Sequence, residues 1–182
     1  MNKVTLITGG SRSGKSEFAE KILENEADVL YIATSIITDE EMEERVKKHR
    51  DRRKNSWETY EGYKKLDEQI ELYKGSSIML DSVTTMLTNM IFENDIDFEK
   101  VAKAEIGNVL DLAKNEFKKF IDKAKEENKN LIMVTDEVGS GLIPEYKLGR
   151  IFRDLLGSLN QYIAALCDEV YLVCCGIPLK LK

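Results

Sequence analysis

Apolar and polar positions along the chain follow two periods. Short, nearly continuous apolar runs at Val4–Thr8, Val29–Thr34, Ile78–Asp81, Leu131–Thr135 and Val170–Cys174 predict strands buried on both faces. Helical patterns separate them, over Lys15–Glu26, Asp39–Arg53, Tyr63–Tyr73, Phe98–Asn128 and Leu148–Leu166. The second opens with Thr38-Asp39-Glu40-Glu41, a capping-box pattern. In the fourth, Ile106, Val109, Leu110, Ala113, Phe117, Phe120 and Ala124 share one face, and in the fifth Leu148, Ile151, Phe152, Leu155, Leu159 and Ile163 do so. Strands alternating with helices predict an α/β layered fold with a mostly parallel central sheet flanked by helices. Ile177–Lys182 reads as a final edge strand, and Pro144 and Pro178 as parts of connections. No repeat, linker or low-complexity tract interrupts the 182 residues, so a single domain over 1–182 is expected.

Composition narrows the possible partners. The chain is 42% hydrophobic and 33% charged, with a formal net charge of −6. That balance gives no basic field for nucleic acid or an anionic membrane surface. No apolar run approaches the roughly 20 residues of a membrane span. Met1-Asn2-Lys3 leads directly into an apolar strand with no leader pattern, so a cytoplasmic location is expected. Cys167, Cys174 and Cys175 are flanked by apolar residues and read as reduced core thiols, neither a disulfide framework nor a zinc site.

One segment carries specific chemistry. Gly9-Gly10-Ser11-Arg12-Ser13-Gly14-Lys15-Ser16 fits the phosphate-loop pattern of glycine, four residues, glycine, lysine and serine or threonine. Its context also fits, with an apolar strand before it and a helix after it. Such glycines let backbone N–H groups turn around phosphate oxygens, and the helix N-terminus adds a positive dipole. Lys15 is expected on the β- and γ-phosphates and Ser16 on Mg²⁺. Asp81, at the end of an apolar run, is expected to deliver a carboxylate to the same sheet edge, where it binds the metal or orders a metal-bound water. The fold implied is P-loop NTPase-like.

The chain's one histidine, His49, lies within Arg45-Val46-Lys47-Lys48-His49-Arg50-Asp51-Arg52-Arg53. Met42, Val46, His49 and Arg53 recur at helical spacing, which puts the imidazole on a face with apolar residues. Nearby arginines disfavour its protonation and can bind phosphate oxygens, and a neutral imidazole can attack phosphorus. By pattern alone, a lone histidine in a basic helix is more often a packed or surface residue.

Further segments raise the catalytic reading. They are Tyr31-Ile32-Ala33-Thr34-Ser35, the block His49-Arg50…Arg53…Trp57, and Leu80-Asp81…Thr84…Thr88-Asn89. They continue with Glu137-Val138-Gly139-Ser140-Gly141-Leu142-Ile143-Pro144, Phe152-Arg153-Asp154-Leu155-Leu156-Gly157…Asn160-Gln161 and the tail through Gly176-Ile177-Pro178-Leu179-Lys180. With these and the phosphate loop, nearly the whole chain resembles the bifunctional adenosylcobinamide kinase / adenosylcobinamide-phosphate guanylyltransferase family of cobalamin biosynthesis.

The resemblance implies two reactions. The γ-phosphate of ATP or GTP moves to the aminopropanol hydroxyl of adenosylcobinamide. His49 then accepts GMP from GTP, releasing pyrophosphate, and passes it to adenosylcobinamide phosphate. The resemblance also places Ala33, Thr34, Ser35, Arg50, Asp51, Arg52, Arg53 and Glu61 near the nucleotide, and implies a homo-oligomer. Lys54 replaces the proline that commonly follows the arginine, and Asp136 the asparagine that commonly precedes Glu137. The latter adds a charge beside the expected corrinoid side. A different class, a nucleotide-controlled GTPase switch or assembly protein, would share the loop but form no covalent nucleotide.

Overall fold

The computed structural model describes residues 2–36, 56–93 and 103–182. In chain order these form β1 (Val4–Gly9), α1 (Lys15–Ile22), β2 (Val29–Ala33), β3 (Glu58–Glu61), α2 (Leu66–Leu72) and β4 (Ser77–Asp81). They continue with α3 (Val83–Glu93), α4 (Lys103–Glu126), β5 (Asn130–Asp136), α5 (Lys147–Leu166), β6 (Glu169–Cys174) and β7 (Ile177–Lys180). The strands make one sheet in the order β3-β2-β4-β5-β1-β6-β7. Every pairing is parallel except the last, where β7 folds back against β6. This is the P-loop-like layered sheet that the apolar runs imply.

Side chains alternate across the sheet, as the pleat requires. Leu6, Leu30, Ile32, Ile78, Leu80, Leu131 and Met133 face a large core shared with α2, α3, α4 and α5. Ile7, Val29, Tyr31, Met79, Ile132 and Val134 face a smaller one with Ala19 of α1. Burial on both faces explains why the strands read as continuous apolar runs. Among the described residues, no helix is long and apolar enough to cross a membrane.

Several elements depart from the sequence reading. β3 was not expected, because Glu58-Thr59-Tyr60-Glu61 is a mostly exposed edge strand with no apolar run. α3 was not expected either. Its first turn, Val83-Thr84-Thr85, is β-branched and reads against helix. The available signal was Ser82, whose Oγ accepts the Thr85 N–H at 3.2 Å as an N-cap does. Buried Val83, Met86, Leu87 and Ile91 then supply the helical stripe. α1 stops at Ile22 and not at Glu26, and α2 covers only the centre of Tyr63–Tyr73. Pro178 lies within β7 opposite Val173, and not in a connection, on an edge strand that tolerates a missing N–H. Cys167 is buried as expected, but Cys174 and Cys175 are exposed at the β6–β7 turn, so they are not core thiols. The expected helix Asp39–Arg53 and the first residues of Phe98–Asn128 lie outside the described residues.

Candidate active site

The phosphate loop joins the end of β1 to the start of α1. Its shape depends on glycine at two places. A Cβ on Gly9 would come within 2.5 Å of both Ser13 Oγ and the Val173 carbonyl. Gly14 has φ +93°, in the left-handed region, and a Cβ there would press on Gly176 Cα at 3.1 Å. Ser13 N–H closes the turn on the Gly10 carbonyl at 3.2 Å, and Phe18 N–H bonds the Gly14 carbonyl at 2.9 Å as α1 begins. The β6–β7 turn is seated on this loop, because Gly176 N–H donates to the Ser13 carbonyl at 2.8 Å. The N-terminal N–H groups of α1 thus face the C-terminal edge of the sheet, the geometry that binds anions.

Lys15 lies back over the loop. Its Nζ donates to the Gly10 carbonyl at 3.1 Å and pairs with Asp136 Oδ1 at 2.7 Å. Asp136 ends β5 directly beside Gly9. Its backbone is held on both sides: its N–H donates to Thr84 Oγ1 at 2.8 Å, and its carbonyl accepts from Asn160 Nδ2 at 3.1 Å. Thr135 Oγ1 fixes the same Asn160 amide at 2.8 Å, and Glu137 N–H returns to the Gly9 carbonyl at 3.0 Å. Asp136 therefore belongs to the phosphate loop's own surroundings. Strand order puts it there, since β5 is the direct neighbour of β1 and nothing in the sequence states that pairing.

Asp81 ends β4, one strand further out. Its Oδ2 accepts a hydrogen bond from Tyr31 Oη at 3.0 Å. Ala33 is paired with Asp81 on one side and with Glu61 on the other, so Glu61, Ala33 and Asp81 stand level across three strands. The sheet thus brings together candidates far apart in sequence. Thr34 behaves differently from its neighbours. It is buried, and its hydroxyl donates to the Ser82 carbonyl at 2.8 Å, accepts the Ser82 N–H at 2.8 Å and contacts Thr85 Oγ1 at 2.8 Å. Asn89 Nδ2 binds the Thr34 carbonyl at 2.7 Å. These bonds fix the turn after β2 to the start of α3. His49, Arg50, Asp51, Arg52 and Arg53 lie outside the described residues.

The Glu137–Pro144 segment leaves β5 at this edge. Glu137 Oε1 accepts the Gly139 N–H at 2.7 Å, which curls the loop, and Leu142, Ile143 and Tyr146 stand exposed, Leu142 at 95%. Three large apolar side chains in water on the segment that leaves β5 form an exposed apolar patch. Among the described residues, no group of three or more His, Cys, Asp and Glu side chains could hold a metal by itself.

This combination of a phosphate-loop motif, a positioned lysine and acidic residues at the strand ends defines a P-loop protein. The sequence model for cobinamide kinase / cobinamide phosphate guanyltransferase matches residues 5–181, and the chain belongs to that family. It is 41% identical over 181 residues to the bifunctional adenosylcobalamin biosynthesis protein CobU of Salmonella typhimurium, an alignment covering 97% of this chain and 98% of that one. Identity to the protein of the same name from Escherichia coli is 41% over 189 residues, with coverage of 97% and 98%. The bifunctional adenosylcobalamin biosynthesis protein CobP of Pseudomonas aeruginosa is 34% identical over 183 residues, covering 97% and 96%.

Proposed function

We propose that one domain over residues 1–182 runs both reactions on one sheet edge, phosphorylating adenosylcobinamide with ATP or GTP and then transferring GMP through His49. The observation that carries this reading is the phosphate loop, with Lys15 held at the mouth of α1 beside Asp136. In the kinase step, the aminopropanol hydroxyl oxygen bonds to the γ-phosphorus, the bond to the β–γ bridging oxygen breaks, and the hydroxyl proton is released. Lys15 and the loop N–H groups of Gly9, Gly10, Ser11, Arg12, Ser13 and Gly14 stabilise the charge that shifts onto the leaving oxygens. Exposed Leu142, Ile143 and Tyr146 give the large acceptor an apolar resting face.

Ser16 and Asp81 fit Mg²⁺ by the chemistry of their donors, a hydroxyl and a carboxylate. A Mg²⁺ held by one or two protein groups would take its remaining ligands from phosphate and water. When bound, the ion supplies charge neutralisation to the phosphates.

In the second step, His49 attacks the α-phosphorus of GTP and the bond to the pyrophosphate oxygen breaks. The phosphate of adenosylcobinamide phosphate then displaces the imidazole. Arg50, Arg52 and Arg53 balance phosphate charge near His49, with Asp51 between them. Ala33, Ser35 and Glu61 meet the nucleotide, and Thr34 holds the turn after β2, its hydroxyl, N–H and carbonyl bonded to Ser82, Asp81 and Asn89. Apolar side chains on the exposed edge of β7, Ile177 and Leu179, support assembly into a homo-oligomer. The acidic balance supports a role without nucleic-acid partners.

Incubation with α-labelled GTP tests the covalent step. Acid-labile, base-stable label is expected on the unmodified chain. None is expected on His49→Asn, which should still make adenosylcobinamide phosphate at a near-normal rate. Stable labelling of His49→Asn would remove His49 as the nucleophile.

A further inference from the structure

A groove of about 380 Å³ runs between α1 and the β6–β7 turn. We propose that it seats the purine base of the kinase reaction's phosphate donor, a reading that rests on the assignment of the phosphate loop. The groove begins at the loop itself, because Gly14 is part of both. Gly14 and Gly176 meet there, both with positive φ, and any side chain at Gly14 would press on Gly176. From Gly14 to Ile22 the groove follows α1 for about 12 Å, at 1.5 Å of rise per residue. That is on the scale of the span from a triphosphate's end to its base. Its volume falls within the range of about 300–1,000 Å³ typical of small-molecule sites.

The lining suits a flat aromatic ring. Phe18, Ile22 and Pro178 present apolar faces, and Lys21 and Glu17 stand with them. Phe18 is held in place by Tyr171, edge-on with ring centroids 5.3 Å apart. The sheet order gives the proposal its consequence. Ala33 and Glu61 lie on β2 and β3, beyond β5 and β4 from the loop, whereas the groove borders β6 and β7 on the loop's other flank. A triphosphate on one phosphate loop would therefore place its base in the groove for γ-transfer. The GTP whose α-phosphorus is attacked would place its base on the β2–β3 flank.

Ile22→Trp tests this, at a helix position 44% exposed where the indole fills the groove without entering the core. Lys21→Trp is the second variant, and thermal melts confirm that both fold. Each should raise the donor's KM in the kinase assay at least tenfold. The inhibition constant of tripolyphosphate, which has no base, should change less than twofold. Photolabelling the unmodified chain with 2-azidoadenosine triphosphate should mark Glu17–Ile22 or Gly176–Pro178.

An unchanged donor KM in both variants overturns the proposal, as does labelling confined to Ala33–Ser35 and Glu61. A tripolyphosphate constant that rises with KM also overturns it, since the indole would then be acting on the phosphate loop. Full tripolyphosphate inhibition of Lys15→Ala identifies a different failure: the phosphate site itself lies elsewhere, and the groove reading falls with it.

Discussion

The Lys15 ammonium stands 2.7 Å from the Asp136 carboxylate, and the two side chains are 13% and 29% exposed. The same lysine is expected to bind phosphate, so Asp136 and the incoming triphosphate compete for one cation. The asparagine that the resemblance leads one to expect at this position offers no such charge. Asp136→Asn should tighten binding of metal-free tripolyphosphate about fivefold, roughly 1 kcal/mol for one partly screened ion pair. Titration calorimetry measures this. Weaker binding would show that the carboxylate helps the phosphates and does not compete with them.

Lys15→Ala should lower adenosylcobinamide phosphorylation by at least about 10²–10³-fold, the usual cost of losing one charge-stabilising donor. Its thermal midpoint should barely move, because Lys15 lies outside both apolar cores. Turnover and melt are measured on the same preparation. Near-normal turnover would remove this loop as the phosphate site.

Asp81→Ala should raise the Mg²⁺ concentration needed for half-maximal kinase rate by about tenfold, since a Mg²⁺–phosphate site has only one or two protein carboxylates. The fold should persist, although Tyr31 Oη loses its 3.0 Å partner. An unchanged metal dependence would make Asp81 a structural partner of Tyr31 only.

The three cysteines should separate by reactivity. Burial pushes the Cys167 thiol up to about 12, while Cys174 and Cys175 are exposed, with their sulfurs 3.8 Å apart. At neutral pH an aromatic disulfide reagent should release two equivalents of thiolate quickly and the third only after denaturation. Three fast equivalents would contradict the burial of Cys167 at the C-terminal end of α5.

Glu169 ties the first and last strands together. Hydrogen bonds from Lys3 at 2.6 Å and Lys180 at 2.9 Å, helped by Tyr171, hold its carboxyl down at about 2. A carboxyl depressed in the folded state stabilises the protein above its unfolded value of 4.5, and that contribution fades as pH falls through about 2. Glu169→Gln should therefore cost stability at pH 7, with the gap to the unmodified chain closing between pH 4.5 and 2. The cost should not exceed about 1 kcal/mol, because both lysines are more than half exposed and screened by water. Urea titrations across that range would settle the sign.

Local chemistry was legible in the sequence wherever it depends on neighbours along the chain. The phosphate loop needs glycine at fixed places between a strand and a helix, so Gly9, Gly14, Lys15 and Ser16 declare themselves. Strands buried on both faces declare themselves as apolar runs, and α5 by its period. β3 did not, because an exposed edge strand buries too little to leave a pattern, and α3 was hidden by a β-branched first turn. Strand order is decided by which faces and edges pack, and only the tertiary structure supplies it. That order sets Asp136 of β5 beside Lys15 and places Glu61, Ala33 and Asp81 at one level. It also lays Gly176 against Gly14, 162 positions away in the chain. No spacing rule encodes those distances, since they arise only when the sheet closes around β1.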